Sequence, residues 1–141
     1  MDREKLKGRS DQAPKHVRLH RWLLSSPAYR SLGLAARCLL VELYDLYNGS
    51  NNGELFLSIR DAGKRLGVGK NTAHNAFRAL ESRGFIRARE RGLFTTRRAT
   101  TWILTEFSFG TKTPTKDFMR WRPEDGYKKQ NIVPLRGTRV P

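Results

Sequence analysis

Residues 58–91 read SIRDAGKRLGVGKNTAHNAFRALESRGFIRARER, and two changes of pattern within them decide the fold. Ser58 can accept a hydrogen bond from an early helical N–H, and the apolar positions that follow recur at helical spacing as far as Leu66. Gly67 can end that helix, because glycine adopts a left-handed conformation at little steric cost. A new helix can begin within about three or four residues, so the stretch predicts two helices joined by a sharp turn.

The second predicted helix covers about residues 70–83. Its apolar residues stand at i, i+3, i+4 and i+7, which is the spacing of a buried stripe. The opposite face carries amide, hydroxyl and cationic side chains, and Glu81 is the single acid of the helix. The stripe consists of Ala73, Ala76, Phe77 and Leu80, and the outward residues are Asn71, Asn75, Arg78 and Ser82, with His74 at the edge of that face.

The shortage of acids on this polar face suggests a negatively charged partner. A helix face that only meets solvent usually mixes acidic and basic side chains. An ordinary amphipathic helix therefore explains the apolar stripe but leaves the missing acids unexplained. Asn and Arg form two-pronged hydrogen bonds with adenine and guanine edges in a major groove. We therefore expect this face to read the bases of duplex DNA.

After Gly84 the helical period gives way to β-branched and aromatic residues, which predict strands at 85–91 and 100–105 with a loop between them. Residues 54–57 could add a short strand to this hairpin. Several arginines would project from the hairpin beside the second helix, where phosphates or a minor groove would lie. Any one of these arginines could serve only to keep the hairpin soluble, but four of them together favour a contact with nucleic acid. These are Arg89, Arg91, Arg97 and Arg98.

The whole chain of 141 residues is strongly basic, with a formal charge of +15 and a pI near 10.9. Residues 22–109 alone carry thirteen basic and seven acidic side chains, so the excess is not confined to the ends. Such a charge indicates a polyanionic partner, most simply nucleic acid. An anionic membrane is the rival, but no apolar run could span a bilayer and no signal peptide is recognisable. We expect a cytoplasmic, nucleoid-associated protein without a membrane partner.

The sequence predicts neither catalysis, nor a metal, nor a cofactor. Cys38 is the single cysteine, which excludes an internal disulfide and a cysteine-built zinc site. Its place in an apolar helical run predicts a buried thiol. The histidines at 16, 20 and 74 form no ligand cluster. Asp61 is better explained by the cap of the first helix than as a catalytic acid, so we expect no enzyme.

The predicted domain covers residues 22–109, between a basic, flexible N-terminal arm (1–21) and a basic, proline-containing C-terminal tail (110–141). Residues 34–47 predict a long helix that is apolar almost all round, and such a helix is buried on more than one side. Either the segment around Trp22 or a second protomer in a homodimer covers its back. The sequence leaves both alternatives open.

Two shorter segments complete the prediction. Ser26 followed by Pro27 indicates the start of a short helix, because proline at the first helical position loses no needed N–H. In the C-terminal tail, Phe118 and Trp121 would share one face of a helical turn. These two aromatic residues either fold back onto the domain or form a docking peptide for a protein partner.

The phrase KNTAHNAFRALESRGFI (70–86) resembles the recognition helix of bacterial winged helix-turn-helix regulators as it runs into the wing, and residues 58–107 resemble that unit as a whole. The wider pattern of LLSSPAYRSL, NGSNNGELFLS and ATTWILT is similar to helix-turn-helix proteins of phages and plasmids, which include repressors and replication factors. The resemblance implies a mostly α fold with a small antiparallel β-wing (α+β). It also implies base reading by Asn71, Asn75 and Arg78, with backbone contacts from Ser58, Lys70, Thr72 and the wing arginines.

We therefore expect a sequence-specific, double-stranded-DNA-binding transcriptional regulator. Its helix at about 70–83 would enter the major groove, and its wing at about 87–99 would grip the backbone or the minor groove. One alternative is a phage or plasmid replication initiator or adaptor that recruits a protein partner through the C-terminal tail. Another is a basic RNA-binding protein.

Overall fold

The computed structural model of the protein describes residues 14–91 and 99–124. Within them the chain forms a small α+β domain with five α-helices and one two-stranded antiparallel sheet, an architecture compatible with a winged helix. No helix of these ranges is long and apolar enough to cross a bilayer. The elements are α1 (Arg21–Leu24), α2 (Pro27–Arg30), α3 (Leu34–Leu46), α4 (Ile59–Leu66), α5 (Lys70–Ser82), β1 (Ile86–Glu90), β2 (Thr101–Leu104) and a 3-10 turn (Asp117–Arg120).

Helix α2 is the short helix predicted at Ser26 and Pro27, and the hydroxyl of Ser26 explains its sharp start. This hydroxyl accepts a hydrogen bond from the N–H of Tyr29 at 3.2 Å and donates one to the carbonyl of Leu23 at 2.7 Å. Pro27 occupies the first helical position, where no N–H is needed. The buried serine thereby joins α1 to α2.

Helix α3 forms one side of the core and packs against α4 and α5. Leu39 and Leu43 on its inner side are fully buried, but Leu34, Cys38 and Val41 on its outer side are exposed. The prediction of a buried thiol is therefore wrong. Since successive helical residues turn by about 100°, Cys38 falls on the side opposite Leu43, and its apolar neighbours in sequence do not surround it in space.

The hairpin pairs β1 with β2 antiparallel, with Ala88 opposite Trp102. The register shifts after Ala88, so Arg89 is the extra residue of a β-bulge. Residues 54–57 do not form a full third strand, because only Leu55 bridges to the hairpin, opposite Trp102.

A buried asparagine, Asn52, holds the chain where β2 ends. Its Nδ2 donates to the carbonyls of Leu104 at 3.0 Å, Phe107 at 3.3 Å and Ser108 at 3.0 Å. Its Oδ1 accepts a hydrogen bond from the N–H of Leu104 at 2.7 Å. The loop that precedes α4 thereby fixes the end of β2 and, through β2, the position of the hairpin.

Two aromatic residues of the predicted tail belong to the core. Phe118 is fully buried, and its ring stacks on Phe85 and on Trp22, with centroid distances of 4.6 and 6.0 Å. Trp121 is 9% exposed and lies under the guanidinium of Arg83, 5.2 Å from carbon to ring centroid. The alternative in which these aromatic residues fold back onto the domain is confirmed, and their side chains are not free to anchor a docking peptide.

The terminal segments are described only in part. Residues 14–20 form neither helix nor strand, and Val17 and Leu19 are half-buried against the core. Residues 1–13 and 125–141 lie outside the described ranges, so the flexibility predicted for them stays a prediction.

Candidate nucleic-acid interface

The turn between α4 and α5 sets the direction of α5. Ser58 caps the start of helix α4, and its hydroxyl accepts a hydrogen bond from the N–H of Asp61 at 3.0 Å. It ends at Gly67 with a φ of +71°, which confirms the predicted stop. The chain then folds back so closely that a Cβ at Gly63 would lie 2.9 Å from the carbonyl oxygen of Val68. Glycine at 63 therefore leaves the room that this turn requires.

The inner side of α5 is buried as predicted, since all four residues of its apolar stripe lie in the core. Among them, the Phe77 ring stacks on Trp102 of β2, with the centroids 5.5 Å apart and the planes 18° from parallel. This contact holds the hairpin beside α5. The buried stripe also turns the opposite face of the helix toward solvent.

That outward face presents polar side chains that the rest of the described chain does not engage. Six of the predicted contact residues are exposed, and their side chains form no hydrogen bond or ion pair within residues 14–91 and 99–124. They can therefore bind an external partner without breaking an internal bond. Ser82 is exposed as well, but its hydroxyl donates to the carbonyl of Ala79 at 3.1 Å. The six free side chains are those of Lys70, Asn71, Thr72, His74, Asn75 and Arg78.

The single acid of α5 is compensated by a neighbouring cation. The carboxylate of Glu81 forms an ion pair with the guanidinium of Arg91, which directly follows β1. The outward face of α5 therefore offers cationic and neutral groups without an unpaired carboxylate. This charge distribution is the one that a polyphosphate backbone attracts.

Two of the wing arginines make contacts with aromatic rings that the sequence does not predict. Arg89 is exposed, but its guanidinium carbon lies 5.4 Å from the centroid of the Phe109 ring. The corresponding carbon of Arg91 lies 5.9 Å from the centroid of the Trp102 ring. Both guanidiniums are thus held over aromatic rings in cation–π contacts. Two further predicted contact residues, Arg97 and Arg98, lie outside the described ranges.

An open groove of about 420 Å³ runs between the end of α5 and β1. The Nε of Arg87 lies 3.8 Å from a carboxylate oxygen of Asp117, and the other oxygen accepts a hydrogen bond from Arg120 at 2.8 Å. Sequence reasoning missed this contact and the ring of Phe109, because no local pattern shows which residues after β2 return to β1. The charged groups that line the groove are Arg87, Arg89, Arg91, Glu81 and Asp117.

Two other polar residues close to these elements are wholly or partly buried inside the domain. Arg83 is half-buried and donates from Nε to the hydroxyl of Ser31 at 2.6 Å, and burial lowers the pKa of its guanidinium. Tyr44 is 6% exposed; burial and, secondarily, the negative charge of Glu106 raise the pKa of its phenol above the usual range.

No protein-family model, curated protein or solved structure matches this chain. Within the described ranges, no group of three or more His, Cys, Asp or Glu side chains could hold a metal ion.

Proposed function

We propose that the protein is a sequence-specific, double-stranded-DNA-binding regulator of the winged helix-turn-helix type, with α5 as its recognition helix. The outward face of α5 supports this, because its amide and guanidinium groups form no hydrogen bond or ion pair within the described part of the chain and its single acid is ion-paired. These are the side-chain groups that distinguish base edges in a major groove. A helix of 13 residues is about 20 Å long and fits a groove about 12 Å wide.

The assigned contacts fall into two groups. Asn71, Asn75 and Arg78 stand at i, i+4 and i+7, so they form one line along α5 that can follow the base edges. The remaining residues position the protein on the phosphates. Because aromatic rings already hold two of the wing arginines, these lose less conformational entropy when they meet a phosphate. The residues to which we assign contacts with the DNA backbone are Ser58, Lys70, Thr72, His74, Arg89, Arg91, Arg97 and Arg98.

The biological role is proposed from the sequence resemblance and from charge. Control of transcription in a bacterial cytoplasm is proposed because the sequence of residues 58–107 resembles bacterial winged helix-turn-helix regulators and the wider pattern resembles helix-turn-helix proteins of phages and plasmids. The formal charge of +15 supports a nucleic-acid partner. A partner-recruiting role for the tail gains no support from Phe118 and Trp121, because the core occupies both rings.

The first experiment selects bound fragments from random duplex DNA at near-physiological salt and sequences them. We expect one enriched motif, and we expect structured RNA to compete poorly with DNA that contains it. Tight, salt-sensitive binding without an enriched motif would contradict base reading. Efficient competition by RNA would favour an RNA-binding role instead.

A matched pair of variants then tests the helix assignment. Arg78→Ala should remove a base contact, with a loss of about 1–3 kcal/mol for the selected motif and relaxed preference at one position. Arg21→Ala removes an arginine of α1 that is also exposed and should leave the preference intact. If Arg78→Ala weakens binding to all sequences alike, Arg78 contacts phosphate and not a base.

A further inference from the structure

The first part of the described chain forms a basic surface that none of the assigned DNA contacts uses. Residues 14–41 contain five Lys or Arg residues and no Asp or Glu. Val17 and Leu19 are half-buried against the core, whereas Lys15 and Arg18 are exposed. The segment therefore rests on the domain through its apolar side chains and presents its cations to solvent.

The chain around the 3-10 turn lies beside this segment and adds a cation to it. The ring of Trp22, in α1, stacks on Phe118 of the turn, with the centroids 6.0 Å apart. The ring of His20 stacks on Trp22 in turn, with the centroids 5.2 Å apart. The Nζ of Lys116 lies 4.8 Å from the centroid of the Trp22 ring, which is a cation–π distance. These contacts bring Lys116 next to the chain that follows Arg18.

Three cations of this region can bind an external partner without breaking an internal ion pair. The side chains of Lys15 and Arg18 form no hydrogen bond or ion pair within residues 14–91 and 99–124. Lys116 is exposed, and its ammonium group likewise forms no ion pair in those ranges. We call Lys15, Arg18 and Lys116 the second basic surface. Its charges favour an anionic partner.

The second basic surface adjoins the groove between α5 and the wing. The carboxylate of Asp117, which directly follows Lys116, lines that groove together with Arg87 and Arg89. One of its oxygens lies 3.8 Å from the Nε of Arg87, and the other accepts a hydrogen bond from Arg120 at 2.8 Å. The acid between Lys116 and the wing is therefore held by two guanidiniums and does not offer a free carboxylate to a phosphate.

We propose that the second basic surface binds the sugar–phosphate backbone of the duplex that flanks the recognition motif on the side of the wing. The proposal rests on the proposed function, because α5 and the wing must first bring the duplex to the groove. Duplex DNA carries one negative charge per about 1.7 Å of its axis, so a backbone that leaves the groove still offers phosphates to cations placed further along. Such contacts add affinity and lengthen the bound site without changing the preferred motif.

Hydroxyl-radical footprinting of the full chain on a duplex with the selected motif tests the position of this surface. We expect the wild type to protect backbone beyond the motif. The double variant, Lys15→Ala with Arg18→Ala, should lose that flanking protection and keep the protection of the motif. Flanks of about one helical turn should strengthen binding of the wild type more than binding of the double variant. A wild type that gains neither protection nor affinity from the flanks overturns the proposal.

The dependence of binding on salt measures how many phosphates the surface contacts. Arg18→Ala should weaken binding to all sequences alike and make the slope of log affinity against log salt shallower, by up to about 0.9. Arg18→Lys should keep most of the slope, because a phosphate accepts either cation. Arg65→Ala is the matched control, since it removes one positive charge from α4, where Arg65 is ion-paired with Glu42. Circular dichroism should show that all variants are folded, and equal slopes in Arg18→Ala and Arg65→Ala overturn the proposal.

The outcomes separate this proposal from the proposed function. If the double variant keeps the wild-type affinity, slope and footprint while Arg78→Ala relaxes the motif, the second basic surface does not bind DNA and the proposed function stands. If no motif is enriched but the double variant still lowers the slope on random duplex, base reading fails while phosphate binding by the surface stands. If the double variant loses binding to structured RNA and not to duplex DNA, the surface serves RNA and the proposal is wrong.

Discussion

The carboxylate of Glu81, on the last turn of α5, forms an ion pair with the guanidinium of Arg91, at the end of the first hairpin strand. The pair links the proposed recognition helix to the proposed wing. It also cancels the one negative charge on that helix. An acid so close to the proposed DNA surface would otherwise repel phosphates.

We predict that Glu81→Gln makes DNA binding both tighter and more dependent on salt. The substitution removes the acid that competes with phosphate for Arg91, so the slope of log affinity against log salt should become steeper, by at most about 0.9. The slope is measured by titration of labelled duplex at several salt concentrations. Glu42→Gln is the control, because Glu42 is also ion-paired, with Arg65 at 3.4 Å, but lies on α3. An unchanged slope in Glu81→Gln would show that Arg91 does not reach the backbone.

We predict that Gly67→Ala destabilises the domain by about 1–2 kcal/mol, because a side chain is disfavoured in the left-handed conformation that Gly67 adopts. Gly67→Asn should cost less, since asparagine tolerates this region. Urea unfolding of the two variants measures the difference. Equal losses would mean that the conformation of the turn is not the cause.

We predict that Asn52→Ala lowers the free energy of unfolding by about 2–3 kcal/mol, because the N–H of Leu104 is left buried without an acceptor. Urea unfolding measures the loss. Asn48→Ala provides the control, since Asn48 is exposed and bonds only within its own loop. If Asn52→Ala were as mild as Asn48→Ala, the hydrogen bonds of Asn52 would not hold the end of β2.

The features that sequence predicts well here are those with a short period. The apolar stripe from Ala73 to Leu80 repeats within one helix, and the end of α4 at Gly67 depends on the conformation of one residue. Both can therefore be predicted from residues that are close in sequence. The contact between Asn52 and Leu104 joins residues 52 positions apart, and nothing near either residue indicates the other.

The exposure of the outer side of α3 and the burial of the Phe118 ring also could not be predicted from residues that are close in sequence. Composition indicates that Cys38 and Val41 are apolar, but the helix has more apolar residues than the core can cover. Phe118 follows a proline-containing, basic stretch that reads as a tail, and its burial depends on a stack with Phe85 that only the fold creates. In the candidate site, the polar outward face of α5 can be predicted from the sequence. The aromatic rings and the carboxylate that contact Arg89 and Arg91 cannot be predicted in this way.

Our last prediction concerns alkaline pH. Burial, reinforced by the charge of Glu106, raises the pKa of Tyr44 in the folded state above that of the unfolded chain, which is about 10. The folded state therefore disfavours the phenolate. The stabilisation is fully present below about pH 10 and is lost as the pH rises further, by up to about 1.4 kcal/mol per unit.

Urea unfolding between pH 9 and about pH 11 should show a shallower decline in Tyr44→Phe than in the wild type, because the variant has no phenol to ionise on unfolding. Lysines titrate in the same range, but they are present in both proteins and cancel in the comparison. Tyr47→Phe is the control, since Tyr47 is only half-buried, with its ring stacked 4.3 Å from Phe107, and it should retain the wild-type decline. Identical declines in Tyr44→Phe and the wild type would mean that Tyr44 ionises as readily in the folded state as in the unfolded chain.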